Sequence, residues 1–138
     1  MTSTTSSGGN SSVVRDRIAM ALLLLSAAGA LVSFLGSIGP ALTASSDTQV
    51  VEIWRAYGYL VFAGLFVLLA FWPRRFPGVW ELAIFHKVAL TISALTIISG
   101  AAGAGTIIVA DGLVAIFLIL SYMLSRGYSA WATLRANY

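Results

Sequence analysis

The sequence contains no cysteine, which excludes disulfides, thiol catalysis, haem attachment through Cys and Cys-based zinc sites. Charge is nearly as scarce. Only 9% of the 138 residues are charged and 59% are hydrophobic, whereas a soluble domain is about a quarter charged. A soluble chain of this length keeps much of its surface wet and has nowhere to hide so much apolar side chain. Lipid removes that conflict, so the composition predicts an integral membrane protein. The signatures of soluble-type active sites are also missing: no Walker loop, no G-x-G-x-x-G in a βαβ setting, no H-E-x-x-H and no nucleophile elbow. No cofactor is expected, and the single histidine, without a second ligand four residues on, gives no expectation of a metal. The net charge of +3 sits at the ends of apolar runs, so it reads as membrane topology and not as nucleic-acid binding.

What is present follows bilayer arithmetic, in which about 20 helical residues cross about 30 Å of hydrocarbon. Four nearly uncharged stretches predict helices at about 18–38, 51–72, 79–99 and 106–125. Strands fail on length, and only helices or closed barrels satisfy their backbone in lipid. The Ser/Thr/Gly-rich residues 1–14 predict a disordered tail, residues 15–127 the helical bundle, and residues 128–138 a short C-terminal tail. The basic flank before the first apolar run resembles a signal peptide, but the run is too long for a signal core and no A-x-A site follows it. The connectors are short, at 41–50, 73–78 and 100–105. Short connectors lay each helix antiparallel beside its predecessor, giving an all-α, up-down-up-down four-helix bundle. Arg15, Arg17, Arg74, Arg75, Arg126 and Arg135 fall on one side and Arg55 lies near the other. The positive-inside rule then predicts cytoplasmic N- and C-termini in the inner or plasma membrane. Trp54, Tyr57, Trp72, Trp80, Tyr128 and Trp131 lie near the expected boundaries, as an aromatic belt would.

Small or polar residues recur at helical spacing: Ser26, Gly29, Ser33, Gly36 and Pro40; His86, Ala89, Ser93, Thr96 and Gly100; Asp111, Ala115, Leu118, Tyr122 and Ser125. Small residues let helices approach closely in lipid, so these faces are expected inside the bundle. Charges at membrane depth are costly and usually face the interior or water. Arg55 and Asp111 lie one to two turns inside the outer boundary and are expected to pair. Glu52, three residues before Arg55, shares its face, and Tyr59 extends that face inward. The structural reading of this cluster is a salt bridge locking two helices; the functional one is a substrate or proton site, since two acids and one base leave surplus negative charge. The inner group is Glu81, His86 and Lys87. His86 is expected to point inward as a structural or proton-carrying group, Lys87 to snorkel to the cytoplasm, and Glu81 to be solvated at the boundary.

The stretch E-I-W-R-A-Y-G at Glu52–Gly58, continuing G-L-F-V-L-L-A at Gly64–Ala70, is followed by a basic turn, a third helix and then Asp111-Gly112. This arrangement resembles the small four-helix bacterial membrane proteins grouped as DoxX-like, over helices 2 to 4. The residues that carry the likeness are Arg55, Tyr57, Gly58, Asp111 and Gly112. Helix 3 of that family tends to carry an Arg where this chain has His86 and Lys87. The resemblance implies fold and membrane location and no particular reaction.

Three functions fit these residues. The first is a membrane protein whose buried polar groups are mainly structural. The second is a membrane-embedded enzyme of isomerase, cyclase or hydrolase type. It would use Asp111, Arg55, Glu52, Tyr59 and His86 for acid/base chemistry on a lipophilic small molecule. The third is a small subunit of a transporter or membrane complex, or a homo-oligomer. A cavity lined by Asp111, Arg55 and Tyr59 favours a ligand, a dry packed core favours structure, and an outward small-residue face favours a partner subunit.

Overall fold

The computed structural model describes residues 8–135. Its elements are α1 (Gly8–Thr43), α2 (Gln49–Phe71), α3 (Val79–Thr96), α4 (Ala104–Leu124), a 3₁₀ turn (Gly127–Ser129) and α5 (Ala130–Arg135). Four of these helices are long and apolar enough to cross a membrane, as a multi-pass membrane protein requires. Asp16, early in α1, pairs with Arg74, just past α2, at 2.6 and 2.8 Å, so α1 and α2 are antiparallel. The Tyr122 hydroxyl at the end of α4 reaches Glu81 at the start of α3, so α3 and α4 are antiparallel too.

The helix ends differ from expectation in ways that local chemistry explains. The expected disordered tail lies partly outside the described residues, at 1–7, but residues 8–14 are helical. Extending an existing helix adds a backbone bond for each residue fixed, unlike nucleating one. At the other end α1 runs through Pro40 to Thr43 instead of stopping near residue 38. The proline removes one backbone donor, but Ala41 beyond it is buried against the bundle and holds the last turn in place. The loop before α4 spans 97–103 instead of the expected 100–105, and Gly103 at its end adopts φ +87°, a left-handed conformation that glycine takes at no steric cost.

Side-chain packing sets the order around the bundle as α2–α1–α4–α3. Helix α1 lies along both α2 and α4, α3 lies along α4, and α2 and α3 barely touch. The core is Leu23, Ala27, Phe66, Leu69, Ala70, Trp80, Ala83 and Leu118. These residues come from the half of the bundle nearer the Arg-rich end, while in the opposite half the buried residues are small, among them Ser37, Ala41, Ala56, Ala94 and Ala104. Serines add cross-helix and local bonds. Ser121 Oγ donates to the Ala19 carbonyl at 3.3 Å, a type of contact worth about 0.6 kcal/mol in membrane bundles.

The expected interior face holds on α4, where Ala115, Leu118 and Ser125 are buried and Asp111 and Tyr122 half-buried. It fails on α1. The face that packs runs through Ala19, Leu23, Ser26, Ala27, Ser37 and Ala41, while Gly29, Ser33, Gly36 and Pro40 look outward. Small residues occur all round α1, so the shape of Leu23 and its neighbours, not smallness, selects the buried side. On α3 the buried residues are Trp80, Ala83, Lys87 and Ala94, whereas His86, Thr96 and Gly100 are exposed. Trp80 likewise leaves the expected interfacial belt: it is 1% exposed and its Nε1 donates to the Pro73 carbonyl at 2.8 Å.

Residues 127–135 are more than a tail. The carboxylate Oε1 of Glu81 accepts bonds from Tyr122 Oη at 2.7 Å and Trp131 Nε1 at 2.8 Å, which fastens α5 to the start of α3. Glu81 is therefore anchored, not merely solvated: the two aromatic donors replace the water its boundary position suggested. Its Oε2 is buried without a hydrogen-bond partner among the described residues. Gly127 makes the closure fit, because a Cβ there would lie 2.6 Å from Trp80 Nε1 and 2.7 Å from Tyr122 Cδ2.

Candidate ligand cleft

Where α2 and α3 separate, a cleft of about 570 Å³ opens in the half of the bundle away from the core. Helix α2 contributes Trp54, Arg55, Gly58, Tyr59 and Phe62; α3 contributes His86, Lys87 and Leu90; α4 contributes Thr106, Ile107 and Asp111. Arg55, Tyr59 and Phe62 stand at i, i+4 and i+7, one face of one helix. On α3, His86 and Lys87 are neighbours about 100° apart. That angle turns Lys87 to α4 and leaves His86 on the cleft wall.

At the floor, Lys87 Nζ donates to Asp111 Oδ1 at 2.5 Å, and the two side chains are 8% and 15% exposed. Lys87 lies eight residues into α3 and Asp111 seven into α4, or about 10–12 Å along each helix at 1.5 Å per residue. Both charges are thus at membrane depth, where each requires its partner. The ammonium also sits 4.3 Å from the centroid of the Phe62 ring, and cations are drawn to that negative face. The Phe62 ring in turn lies 4.6 Å from the His86 ring, tilted by 42°. Thr91 is not a cleft donor, since its hydroxyl is bonded to the Lys87 carbonyl at 2.8 Å. Its methyl group lies 3.5 Å from where a Cβ on Gly112 would be, so α3 and α4 run close beside the pair.

The expected Arg55–Asp111 bridge does not form. Arg55 Nη1 pairs with Glu52 Oε2 at 3.0 Å on its own helix, and Asp111 pairs with Lys87. Arg55 and Asp111 lie six and seven residues into α2 and α4, at matching depth, but α4 packs along α1 and α3 and not along α2. A nearer cation therefore takes the carboxylate. Lys87 does not snorkel either: from the middle of its helix the counter-charge is closer than the interface. His86 is exposed on the cleft wall and does not face the interior, because Lys87, next to it, occupies the inward position. Of the sequence candidates, Arg55, Tyr59, His86 and Asp111 line this one cleft. Glu52 touches it through Arg55.

Sequence reasoning passed over Phe62 and the role of Lys87. Phe62 could have been found as the next member of the Arg55–Tyr59 face. Lys87 shares a helical phase with Trp80, Ala83 and Ala94, which marks it as inward. Among the residues that carry the family resemblance, Arg55, Gly58 and Asp111 reach the cleft and Tyr57 is exposed. Compared with known proteins, the chain matches no family model, no curated protein and no solved structure.

Proposed function

We propose that this chain is a cell-membrane protein with both termini cytoplasmic that holds a lipophilic small molecule in the α2–α3 cleft. One observation carries the reading: an open cleft at membrane depth whose floor is an ion pair, Lys87–Asp111, and whose walls are largely apolar and aromatic. A volume of about 570 Å³ is in the range of small-molecule sites, which combine apolar walls with a few convergent polar groups. The DoxX-like resemblance belongs to the same proposal, supported by the meeting of Arg55, Gly58 and Asp111 at one cleft. The test is mass spectrometry of lipid extracts from the purified protein and from Gly58→Leu. Gly58 lines the cleft and a Cβ there meets nothing within 4 Å, so a leucine side chain starts into the cleft without a clash at its root. A molecule enriched with the parent and depleted from the variant is expected; identical extracts would overturn the reading.

A second reading, an acid/base enzyme, is favoured by His86, whose ring lines the cleft and has no hydrogen-bond partner among the described residues. On that reading His86→Ala retains the ligand but stops its conversion, seen as loss of a mass change on incubation. Equal conversion by the variant would exclude His86 as the acid or base.

A further inference from the structure

The polar groups of the cleft also define the head group it takes, and this step rests on the ligand reading above. The charges at the cleft are already matched. Arg55 is paired with Glu52 at 3.0 Å and Lys87 with Asp111 at 2.5 Å. Asp111 Oδ2 has no hydrogen-bond partner among the described residues, and Lys87 Nζ, with three donors, spends one on Asp111 Oδ1 and presents another side to Phe62. A carboxylate or phosphate placed here would adjoin Asp111, and an ammonium would adjoin Lys87. Either would add an unmatched charge to a low-dielectric site. A hydroxyl does neither, because its oxygen accepts from Lys87 Nζ while its proton goes to Asp111 Oδ2. Above that floor the walls are Trp54, Tyr59, Leu90 and Ile107, which suit a hydrocarbon chain. The gap between α2 and α3 lets that chain continue toward lipid.

We infer that the cleft binds an uncharged lipid with a hydroxyl head group, seated head-down on the Lys87–Asp111 pair. The full chain in detergent micelles is titrated with three probes that share one tail: 1-monooleoylglycerol, oleate and oleylamine. Bound probe per chain is counted by native mass spectrometry. Monooleoylglycerol should bind about tenfold more tightly than either charged probe, a difference of about 1.4 kcal/mol. That preference should vanish when Lys87→Met and Asp111→Leu are combined, and Gly58→Leu should release the probe. Oleate or oleylamine binding as well as monooleoylglycerol, yet still released by Gly58→Leu, would overturn the head-group inference and leave the cleft a ligand site. Persistence of the preference in the Lys87→Met, Asp111→Leu chain would also overturn it, by removing the pair from recognition. Binding of all three probes unchanged by Gly58→Leu would overturn both readings together.

Discussion

Lys87 and Asp111 are each tolerable at membrane depth only because the other is present. Removing one strands a charge in a low-dielectric site, which costs more than removing both. Lys87→Met and Asp111→Leu should each lower the stability of the bundle in detergent, and the double variant should recover part of the loss. A double-mutant cycle read by denaturation should return a coupling on the order of 1–3 kcal/mol, and additive losses would show that the pair does not form. The same cycle between Arg55 and Asp111 should be additive within about 0.5 kcal/mol. Arg55 already has Glu52 at 3.0 Å and half of its side chain is exposed, so its ion pair is of the screened kind that contributes about 0–1 kcal/mol. The partner choice separates two roles that sequence spacing joined: Arg55 marks the mouth of the cleft and Asp111 its floor.

At the scale of the element, a helix in lipid is positioned by shape, because apolar side chains gain little by leaving the tails. Gly29 and Ser33 are on the outward face of α1, where a Cβ on Gly29 meets nothing within 4 Å and the Ser33 hydroxyl is bonded to the Gly29 carbonyl at 3.0 Å. Replacing either with Leu should therefore shift stability by no more than about 0.5 kcal/mol, measured by thermal unfolding in detergent. Gly127→Ala should behave differently. Its methyl group would strike Trp80, which is held by Pro73 and 1% exposed. Overpacking of this kind costs about 1–3 kcal/mol, and α5 should loosen first, as increased hydrogen exchange after residue 127. The contrast shows what could be read in the sequence. Helix number and approximate span follow from apolar length, and the buried face of α4 follows because Asp111, Leu118 and Tyr122 set its phase. The buried face of α1 does not, since Gly, Ala and Ser occur on all of its sides and only a neighbour's surface selects among them. The Glu81–Trp131 clasp joins residues 50 positions apart, and no local pattern encodes it. Within the candidate site, the arc Arg55–Tyr59 and the depth of Asp111 were legible; the Lys87 partnership depended on α3, and not α2, lying beside α4.

The whole molecule is polarised along the bundle axis. One end carries six of the seven arginines that lie near helix ends, namely Arg15, Arg17, Arg74, Arg75, Arg126 and Arg135, with the packed core beneath them. The other end carries Arg55, Glu52 and Asp47 and holds the open cleft. The Asp16–Arg74 ion pair does not weaken the bias, because orientation follows Lys and Arg and is little affected by acids. Four spanning helices put both chain ends on one side, so a reporter fused after Tyr138 should behave as cytoplasmic and one inserted at Ser46 as external. Either reporter behaving in the opposite way would overturn the orientation. Replacing Arg74 and Arg75 with Ser removes the basic residues of the only loop between spans that carries any, and should produce a measurable fraction of inverted chains. The consequence reaches the cleft. On the proposed orientation, with the Arg-rich end inside, the cleft between α2 and α3 would face the outer leaflet, and a lipophilic molecule would enter from that side. A reactive lipid analogue confined to the outer leaflet should then label cleft residues such as Trp54 or Tyr59, and Gly58→Leu should suppress that labelling. Labelling only from the inner leaflet would require the inverted orientation, and the two reporters would have to invert with it.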